Sequence, residues 1–290
     1  MRLPPRFMPA LVTPFSREGE LDLEAHRHNL CTLWQRGVRG FLLGGSTGEG
    51  PYLEAGERHL LVEAARQELP EEAFLMMGLA SETLRGALDQ AGEAAQAGAD
   101  ALLALTPTSL ARGNDQAVAG FYRDLADHCR RPVLLYSVPP YTAYQLPPDV
   151  GVELARHPNI GGMKDSSGQP VNIARLTDQV DKDFLVFAGS SAAISLSLAA
   201  GAYGAITASA NYAPELLAEV VELESAESSR EAQARLRRLS GLVEAHRISG
   251  VKMAARAAGL RPGHPRLPLR PLEGPPAEAI EQAMAAHLAP

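Results

Sequence analysis

Short apolar runs alternate with amphipathic stretches along the first 224 residues. The apolar runs are five or six residues long and lie at 7–12, 38–43, 73–78, 101–105, 132–136, 160–164, 184–188 and 203–207. Stretches with apolar residues at helical spacing follow them, at 21–34, 54–68, 82–97, 115–129, 149–156, 171–180, 192–200 and 214–223. The pattern therefore predicts a strand followed by a helix eight times.

The apolar runs are continuous rather than alternating, which is typical of parallel strands that are covered on both faces. Eight strand–helix units within about 225 residues predict an α/β fold, a closed (β/α)8 TIM barrel. An open, doubly wound sheet is the alternative. The first strand is not followed by a G-x-G-x-x-G pattern, which weakens a dinucleotide-binding version of that alternative.

The remaining part of the chain has a different pattern. It predicts helices at 230–246, 248–258 and 277–288, with a proline-rich stretch at 261–276 between the last two. We therefore predict a barrel domain over 1–224 that carries the catalytic site, and a C-terminal helical segment over 225–290.

Composition excludes several classes of function. The net charge of −7 gives no basic field for nucleic acid, and no apolar run approaches the length of a membrane span. Cys31 and Cys129 lie far apart, and the eight histidines show no metal-ligand spacing. We expect a cytoplasmic protein that uses neither a metal nor another cofactor and that contacts neither nucleic acid nor membrane.

Lys164 is the first candidate for chemistry. Only three of the 27 basic residues are lysines, and this one directly follows an apolar strand and precedes a small polar turn. An amine can lose its proton and attack a carbonyl carbon, whereas a guanidinium cannot. Burial at a strand end also disfavours the ammonium form. A packed lysine whose head reaches water is the alternative.

The carboxyl ends of the other strands supply the rest of a candidate site, because barrel enzymes place their chemistry there. The loop after the second strand contains Gly45, Ser46 and Thr47, whose backbone N–H groups and hydroxyls suit a small carboxylate. A nucleotide cradle is disfavoured because the lysine of a Walker motif is missing. We expect the nearby Glu49 to hold the loop in place rather than to catalyse.

Tyr136 ends the fifth strand, one strand away from Lys164. Attack by an amine gives a carbinolamine that must lose water, and both steps move protons that the lysine cannot move alone. Tyr136 is therefore the candidate proton carrier, and a packed phenol with one hydrogen bond is the alternative. Gly189 follows the seventh strand and Ile206 lies on the eighth. Asp165 points to the opposite side of its strand if the pleat continues, so we interpret it as structural.

Together these residues resemble the dihydrodipicolinate synthase / N-acetylneuraminate lyase superfamily of pyruvate-dependent class I aldolases. The resemblance extends over the chain through A-L-V-T-P-F at 10–15, G-S-T-G-E at 45–49, T-P at 106–107, Y-S-V-P at 136–139, G-M-K-D at 162–165, A-G-S at 188–190 and A-N at 210–211. It implies a barrel with a C-terminal helical extension, and usually a homotetramer built as a dimer of dimers.

The resemblance also implies roles for individual residues. Lys164 forms an imine with pyruvate or another 2-oxo acid, and Tyr136 relays protons. Ser46 and Thr47 anchor the carboxylate, and Thr47 continues the relay. The resemblance also implies that Ile206 walls the pyruvate pocket. Two further residues complete the expected substrate site: Gly189, and Ser166, which contacts the aldehyde half or instead caps a helix.

Three positions depart from the dihydrodipicolinate synthases. Those enzymes carry a tyrosine pair after T-P, where this chain has Thr108 and Ser109, and an arginine at the position of Tyr141. The motifs around Tyr136 and Lys164 look most like those of 4-hydroxy-2-oxoglutarate aldolases, and others are similar to 2-keto-3-deoxygluconate aldolases. We therefore expect a lyase that cleaves or forms 4-hydroxy-2-oxo acids.

Three alternatives stay open at this point. They are 4-hydroxy-tetrahydrodipicolinate synthase, which condenses pyruvate with aspartate semialdehyde, a sugar-acid dehydratase, and a catalytically silent relative that binds a 2-oxo acid.

Overall fold

Eight parallel strands form a single sheet in a computed structural model that describes residues 2–222 and 226–289. In chain order the strands are β1 Phe7–Pro9, β2 Gly40–Leu43, β3 Phe74–Leu79, β4 Ala101–Leu105, β5 Val133–Ser137, β6 Ile160–Asp165, β7 Leu185–Ala188 and β8 Gly204–Thr207. Almost every strand residue is buried, as expected where helices cover one face and the barrel interior the other.

The sheet closes on itself. β1 pairs with β8, with Phe7 beside Ala205. On its other side the chain just after β1 reaches β2, where the N–H of Leu11 donates to the carbonyl of Leu42 at 2.9 Å. The α/β fold class and the (β/α)8 barrel predicted from the sequence are therefore confirmed.

Twelve α-helices accompany the strands. They are α1 Leu23–Gln35, α2 Glu57–Glu68, α3 Leu84–Gln96, α4 Asp115–His128, α5 Pro139–Thr142, α6 Pro148–Leu154, α7 Pro170–Thr177, α8 Ile194–Ala199, α9 Pro214–Glu222, α10 Ala226–Glu244, α11 Arg247–Ala257 and α12 Pro275–Leu288 among the described residues. Side-chain caps mark several starts, because a side-chain oxygen satisfies an unpaired backbone N–H. Asp22, Thr83 and Asn114 cap α1, α3 and α4 in this way.

The element boundaries differ from the sequence prediction in a few places. The first strand ends at Pro9 rather than at 12, and the side chain of Asn211 bonds two of the backbone groups that follow. Its side chain accepts from the N–H of Val12 at 3.0 Å and donates to the carbonyl of Ala10 at 2.8 Å. The short helix α5 was not predicted, and residue 223, where we predicted the eighth barrel helix to end, lies outside the described residues.

Two layers of apolar side chains form the hydrophobic core. One lies between the sheet and the surrounding helices, and the other lies inside the barrel. Members of the inner layer include Met8, Leu42, Phe74, Leu103, Leu134, Phe187 and Ile206. This inner layer is the packed floor beneath the carboxyl ends of the strands.

Helices α10, α11 and α12 form the C-terminal helical segment, and they pack against one another and against the end of the barrel. The predicted division between residues 224 and 225 lies outside the described residues and stays a prediction. No helix within residues 2–222 and 226–289 is long and apolar enough to cross a membrane.

Candidate active site

Lys164 and Tyr136 lie side by side at the carboxyl ends of β6 and β5. Their Cα atoms are register partners on neighbouring strands, so both side chains leave the sheet on the same side. The lysine Nζ is 3.4 Å from the tyrosine Oη and 4.6 Å from the centre of its ring. The lysine is 3% exposed and the tyrosine 4%. The amine therefore faces the phenol at the mouth of the barrel.

A cavity of about 350 Å³ opens above this pair. It is large enough for a small organic acid together with a second small molecule. Strand ends of the barrel and the C-terminal helical segment both contribute to its lining, which comprises Thr47, Tyr136, Val138, Pro140, Tyr141, Lys164, Ser166, Gly189, Ser190, Ala208, Glu244, Ala245, Arg247, Ile248 and Val251.

The loop at residues 45–47, which we call the hydroxyl loop, follows β2 and approaches Tyr136 from two sides. Thr47 lines the main cavity, whereas Gly45 and Ser46 line a narrower cavity that also contacts the tyrosine. Close packing fixes this loop. A Cβ atom on Gly50 would lie 1.9 Å from the carbonyl oxygen of Gly44, so only glycine fits there.

Glu49 holds the same loop from below, as predicted. Its carboxylate is fully buried and pairs with the ammonium of Lys252 at 2.6 Å, while its other oxygen accepts from the N–H of Arg266 at 2.7 Å. Both partners belong to the C-terminal helical segment. Burial raises the pKa of Glu49, and Lys252 opposes that shift. The predicted structural role of Glu49 is confirmed.

Ser166 and Gly189 meet at the rim of the cavity. A Cβ atom on Gly189 would lie 1.9 Å from the Ser166 hydroxyl, so the glycine leaves the space that the serine occupies. The next helix, α7, begins at Pro170, and its N-cap is Gln169. The helix-capping alternative for Ser166 is therefore wrong, and its side chain lines the cavity instead.

Two other predicted residues lie away from the cavity. Ile206 is fully buried in the inner layer of the barrel, because its strand position directs the side chain inward, beneath the mouth. The residues that line the cavity do not include it. Asp165 accepts from the N–H of Ser167 and from the amide of Gln145, so it ties the strand end to its surrounding loops.

The sequence analysis did not identify Glu244, the last residue of α10, as part of this site. Its Oε1 accepts from the hydroxyl of Ser191 at 2.6 Å and from that of Tyr212 at 3.3 Å. Burial raises the pKa of Glu244, opposed by those two hydroxyls and by the amine of Lys164. A glutamate on a polar helix gives no sequence signal of this placement.

Arg247 and Tyr141 were also missed as partners. The guanidinium carbon of Arg247 lies 5.5 Å from the centre of the Tyr141 ring, and both side chains line the cavity. Arg247 begins α11 and Tyr141 lies in α5, far apart in the sequence, so spacing along the chain could not predict their contact. Within the described residues, no cluster of three or more histidines, cysteines or carboxylates could hold a metal.

Comparison with known proteins shows the family of this chain. Residues 4–287 match the dihydrodipicolinate synthetase family. The chain is 33% identical to a 4-hydroxy-tetrahydrodipicolinate synthase of Methanoculleus marisnigri, over 97% of this chain and 98% of the relative. A Streptomyces coelicolor protein of the same name, with the suffix 1, is also 33% identical, over 91% of this chain and 88% of that one.

Solved structures of similar fold carry the same family name as the relatives found by sequence. A putative dihydrodipicolinate synthase from Thermus thermophilus is 35% identical, with a TM-score of 0.87 over 97% of both chains. A dihydrodipicolinate synthase from Acinetobacter baumannii, solved with pyruvate, is 25% identical, with a TM-score of 0.90 over 96% of this chain and 97% of that one. The family and its named relatives are class I lyases, so this chain is an enzyme of that class. The chain belongs to the dihydrodipicolinate synthetase family, as the resemblance in its motifs implied.

Proposed function

We propose that Lys164 forms an imine with pyruvate and that the resulting enamine joins, or is released from, an aldehyde. The observation that carries this proposal is the 3.4 Å separation between the lysine Nζ and the Tyr136 hydroxyl at the floor of the cavity. A relative solved with pyruvate supports the identity of the first substrate. The burial of both groups supports a covalent step from which bulk water is kept away.

The proposed steps need a proton carrier at the place where Tyr136 lies. The neutral amine attacks C2 of pyruvate, and the carbonyl oxygen takes up a proton to give a carbinolamine. Departure of that oxygen as water requires a second proton and leaves the imine. Loss of a proton from C3 then gives the enamine, whose C3 forms a bond to the aldehyde carbon. Thr47, at the cavity surface, extends the relay from the phenol.

The carboxylate of pyruvate is assigned to the hydroxyl loop. Thr47 and Ser46 line the two cavities that contact Tyr136, and their hydroxyls, with the backbone N–H groups of this glycine-rich turn, suit a small anion. Gly45 belongs to the same turn. Gly189 and Ser166 face the cavity above the lysine, where the aldehyde half enters, and Ile206 supports the floor from inside the barrel.

For the aldehyde we now place aspartate semialdehyde first. The sequence analysis favoured cleavage of 4-hydroxy-2-oxo acids, but the curated relatives that match over nearly the whole chain bear the name 4-hydroxy-tetrahydrodipicolinate synthase. The reaction we propose is therefore the condensation of pyruvate with aspartate semialdehyde.

One observation keeps 4-hydroxy-2-oxo acid cleavage as the second candidate. Thr108 and Ser109 stand where the resemblance expects tyrosines. Their N–H groups donate to the carboxylate of Glu82. The resemblance implies that a tyrosine of this pair contributes its hydroxyl to the proton relay, and neither Thr108 nor Ser109 carries a phenol.

We also propose that the enzyme is a cytoplasmic homotetramer, as the resemblance implies. Leu110, in the loop after β4, is 98% exposed, and it is the residue we assign to a subunit contact. Light scattering on the purified protein tests this, with a change of Leu110 to serine expected to weaken the assembly.

A panel of assays separates the candidate reactions. Condensation of pyruvate with aspartate semialdehyde is measured beside the release of pyruvate from several 4-hydroxy-2-oxo acids. We expect condensation to be the faster reaction. Faster pyruvate release from a 4-hydroxy-2-oxo acid selects the second candidate, and binding of pyruvate without turnover of any substrate selects a catalytically silent protein.

A further inference from the structure

The C-terminal helical segment contributes a charged wall to the cavity above Lys164. Glu244 and Arg247 lie three residues apart at the junction of α10 and α11, and both line this cavity, together with Ile248 and Val251. The barrel strands supply the amine and the phenol, and the loop after β2 supplies the hydroxyls. The C-terminal wall therefore faces the part of the cavity beyond the imine.

The backbone at Arg247 is unusual. Its φ is +51°, in the left-handed region that favours glycine, and it is the first residue of α11. A side chain at such a position costs backbone energy, and strained residues of this kind cluster at functional sites. The turn directs a long cationic side chain toward the cavity, where a glycine would fit the backbone better.

The guanidinium of Arg247 is available to a ligand. The ion pairs between described residues do not include it, and its described side-chain contact is with the ring of Tyr141, 5.5 Å away. Glu244, the acidic residue among those lining the cavity, is held by the hydroxyls of Ser191 and Tyr212. An anion in the cavity therefore meets a cation whose donors are not committed elsewhere in the described structure.

We propose that Arg247 binds the carboxylate of the aldehyde substrate, which restricts the enzyme to aldehydes that carry one. This inference rests on the proposed function, which assigns the pyruvate carboxylate to the hydroxyl loop and leaves the second carboxylate without a partner. The planar guanidinium matches a carboxylate with two parallel hydrogen bonds, and its cation–π contact with the Tyr141 ring, at 5.5 Å, keeps the side chain beside the cavity.

Kinetics of Arg247 variants test the proposal. With the aldehyde that the assay panel identifies, Arg247→Ala raises the KM for the aldehyde about 10- to 100-fold, the range for a lost hydrogen bond to a charged group. The KM for pyruvate stays unchanged, and so does the imine trapped by borohydride. Arg247→Lys retains part of the affinity because it keeps the charge without the fork. Arg256→Ala, on the same helix but outside the cavity lining, is the matched control and behaves as the parent.

A binding measurement keeps the test independent of turnover. Lys164 is first blocked by reduction of its pyruvate imine, and calorimetry then compares 4-hydroxybutyrate with its neutral isostere 4-hydroxybutyramide. The parent enzyme prefers the carboxylate, and Arg247→Ala removes the preference. A preference that survives in Arg247→Ala, or that the parent lacks, overturns the proposal. Failure to trap any pyruvate overturns the proposed function itself and is read from the first step.

Discussion

Lys164 and Lys252 are equally buried, each 3% exposed, yet their surroundings are opposite. In the C-terminal helical segment, Lys252 contacts the carboxylate of Glu49 at 2.6 Å and donates to the carbonyls of Thr13 and His264. At the barrel mouth, Lys164 has the phenol of Tyr136 at 3.4 Å and an open cavity. Burial alone therefore does not distinguish a structural lysine from a reactive one.

The partners make the difference. Three oxygen acceptors surround the amine of Lys252 and hold it as an ammonium ion. Burial lowers the pKa of Lys252 to about 8, a shift that Glu49 opposes. Such an amine has no lone pair to offer. Lys164 lies beside a group that can give and take a proton and beside space for a carbonyl compound, which is what nucleophilic attack requires.

The largest expected effect follows from replacing Lys164. Lys164→Arg keeps a positive charge but cannot form an imine, so turnover falls to background. Lys182→Arg, on the exposed surface, retains activity and serves as the matched control. Steady-state rates measure the difference, and appreciable turnover by the Lys164 variant would place the chemistry elsewhere.

Removing the phenol has the next largest effect. Tyr136→Phe keeps the ring that packs at the mouth but loses the proton carrier. We expect slow formation of the imine to continue while kcat falls by roughly 10²- to 10⁴-fold, the usual contribution of a positioned acid–base group. Single-turnover trapping and steady-state assays separate the two steps, and an unchanged kcat removes Tyr136 from the relay.

Breaking the other lysine site affects stability rather than chemistry. Lys252→Met leaves the buried carboxylate of Glu49 without its cation and lowers the free energy of unfolding by about 3–5 kcal/mol. Changing Glu49 to glutamine in the same protein recovers part of that loss, because no charge is then left unpaired. Denaturant unfolding measures both variants, and a single variant as stable as the parent contradicts the structural assignment.

His26 extends the comparison of the two lysines, because it shows how burial changes the pKa of a basic side chain that has no acidic partner among the described residues. His26 contacts the carbonyl of Leu61, and burial lowers the pKa of its imidazole from 6.5 to about 4. Between those two values the unfolded chain binds more protons than the folded one, so stability is lost as the pH falls from about 6.5 to 4. The loss attributable to His26 is about 3 kcal/mol.

Unfolding measured across this pH range checks the contribution of His26. The His26→Gln variant shows a shallower loss of stability as the pH falls than the parent does. His59→Gln, at a partly exposed position, has the parent's pH dependence and is the control. Equal pH slopes for the parent and His26→Gln would contradict a buried, neutral imidazole.

The barrel was predictable from the sequence because each unit contains its own signals. The apolar run at 101–105 matches β4 residue for residue, and Lys164 and Tyr136 mark the ends of adjacent strands, which topology then brings together. The wall of the cavity was not predictable. Glu244 ends the polar helix α10 and Arg247 begins α11, and nothing in the local sequence shows that this junction lies over the barrel mouth. The ion pair between Glu49 and Lys252 could not be predicted either, because the two residues lie about 200 positions apart in the sequence.

The site of the trapped pyruvate tests the central claim most directly. The protein is incubated with pyruvate and borohydride, digested, and mapped by mass spectrometry. We predict one reduced pyruvyl group per chain, on the peptide that contains Lys164, with the peptides that contain Lys252 and Lys182 unmodified. An adduct on Lys252, or one that persists in the Lys164→Arg protein, would contradict the assignment of the reactive amine.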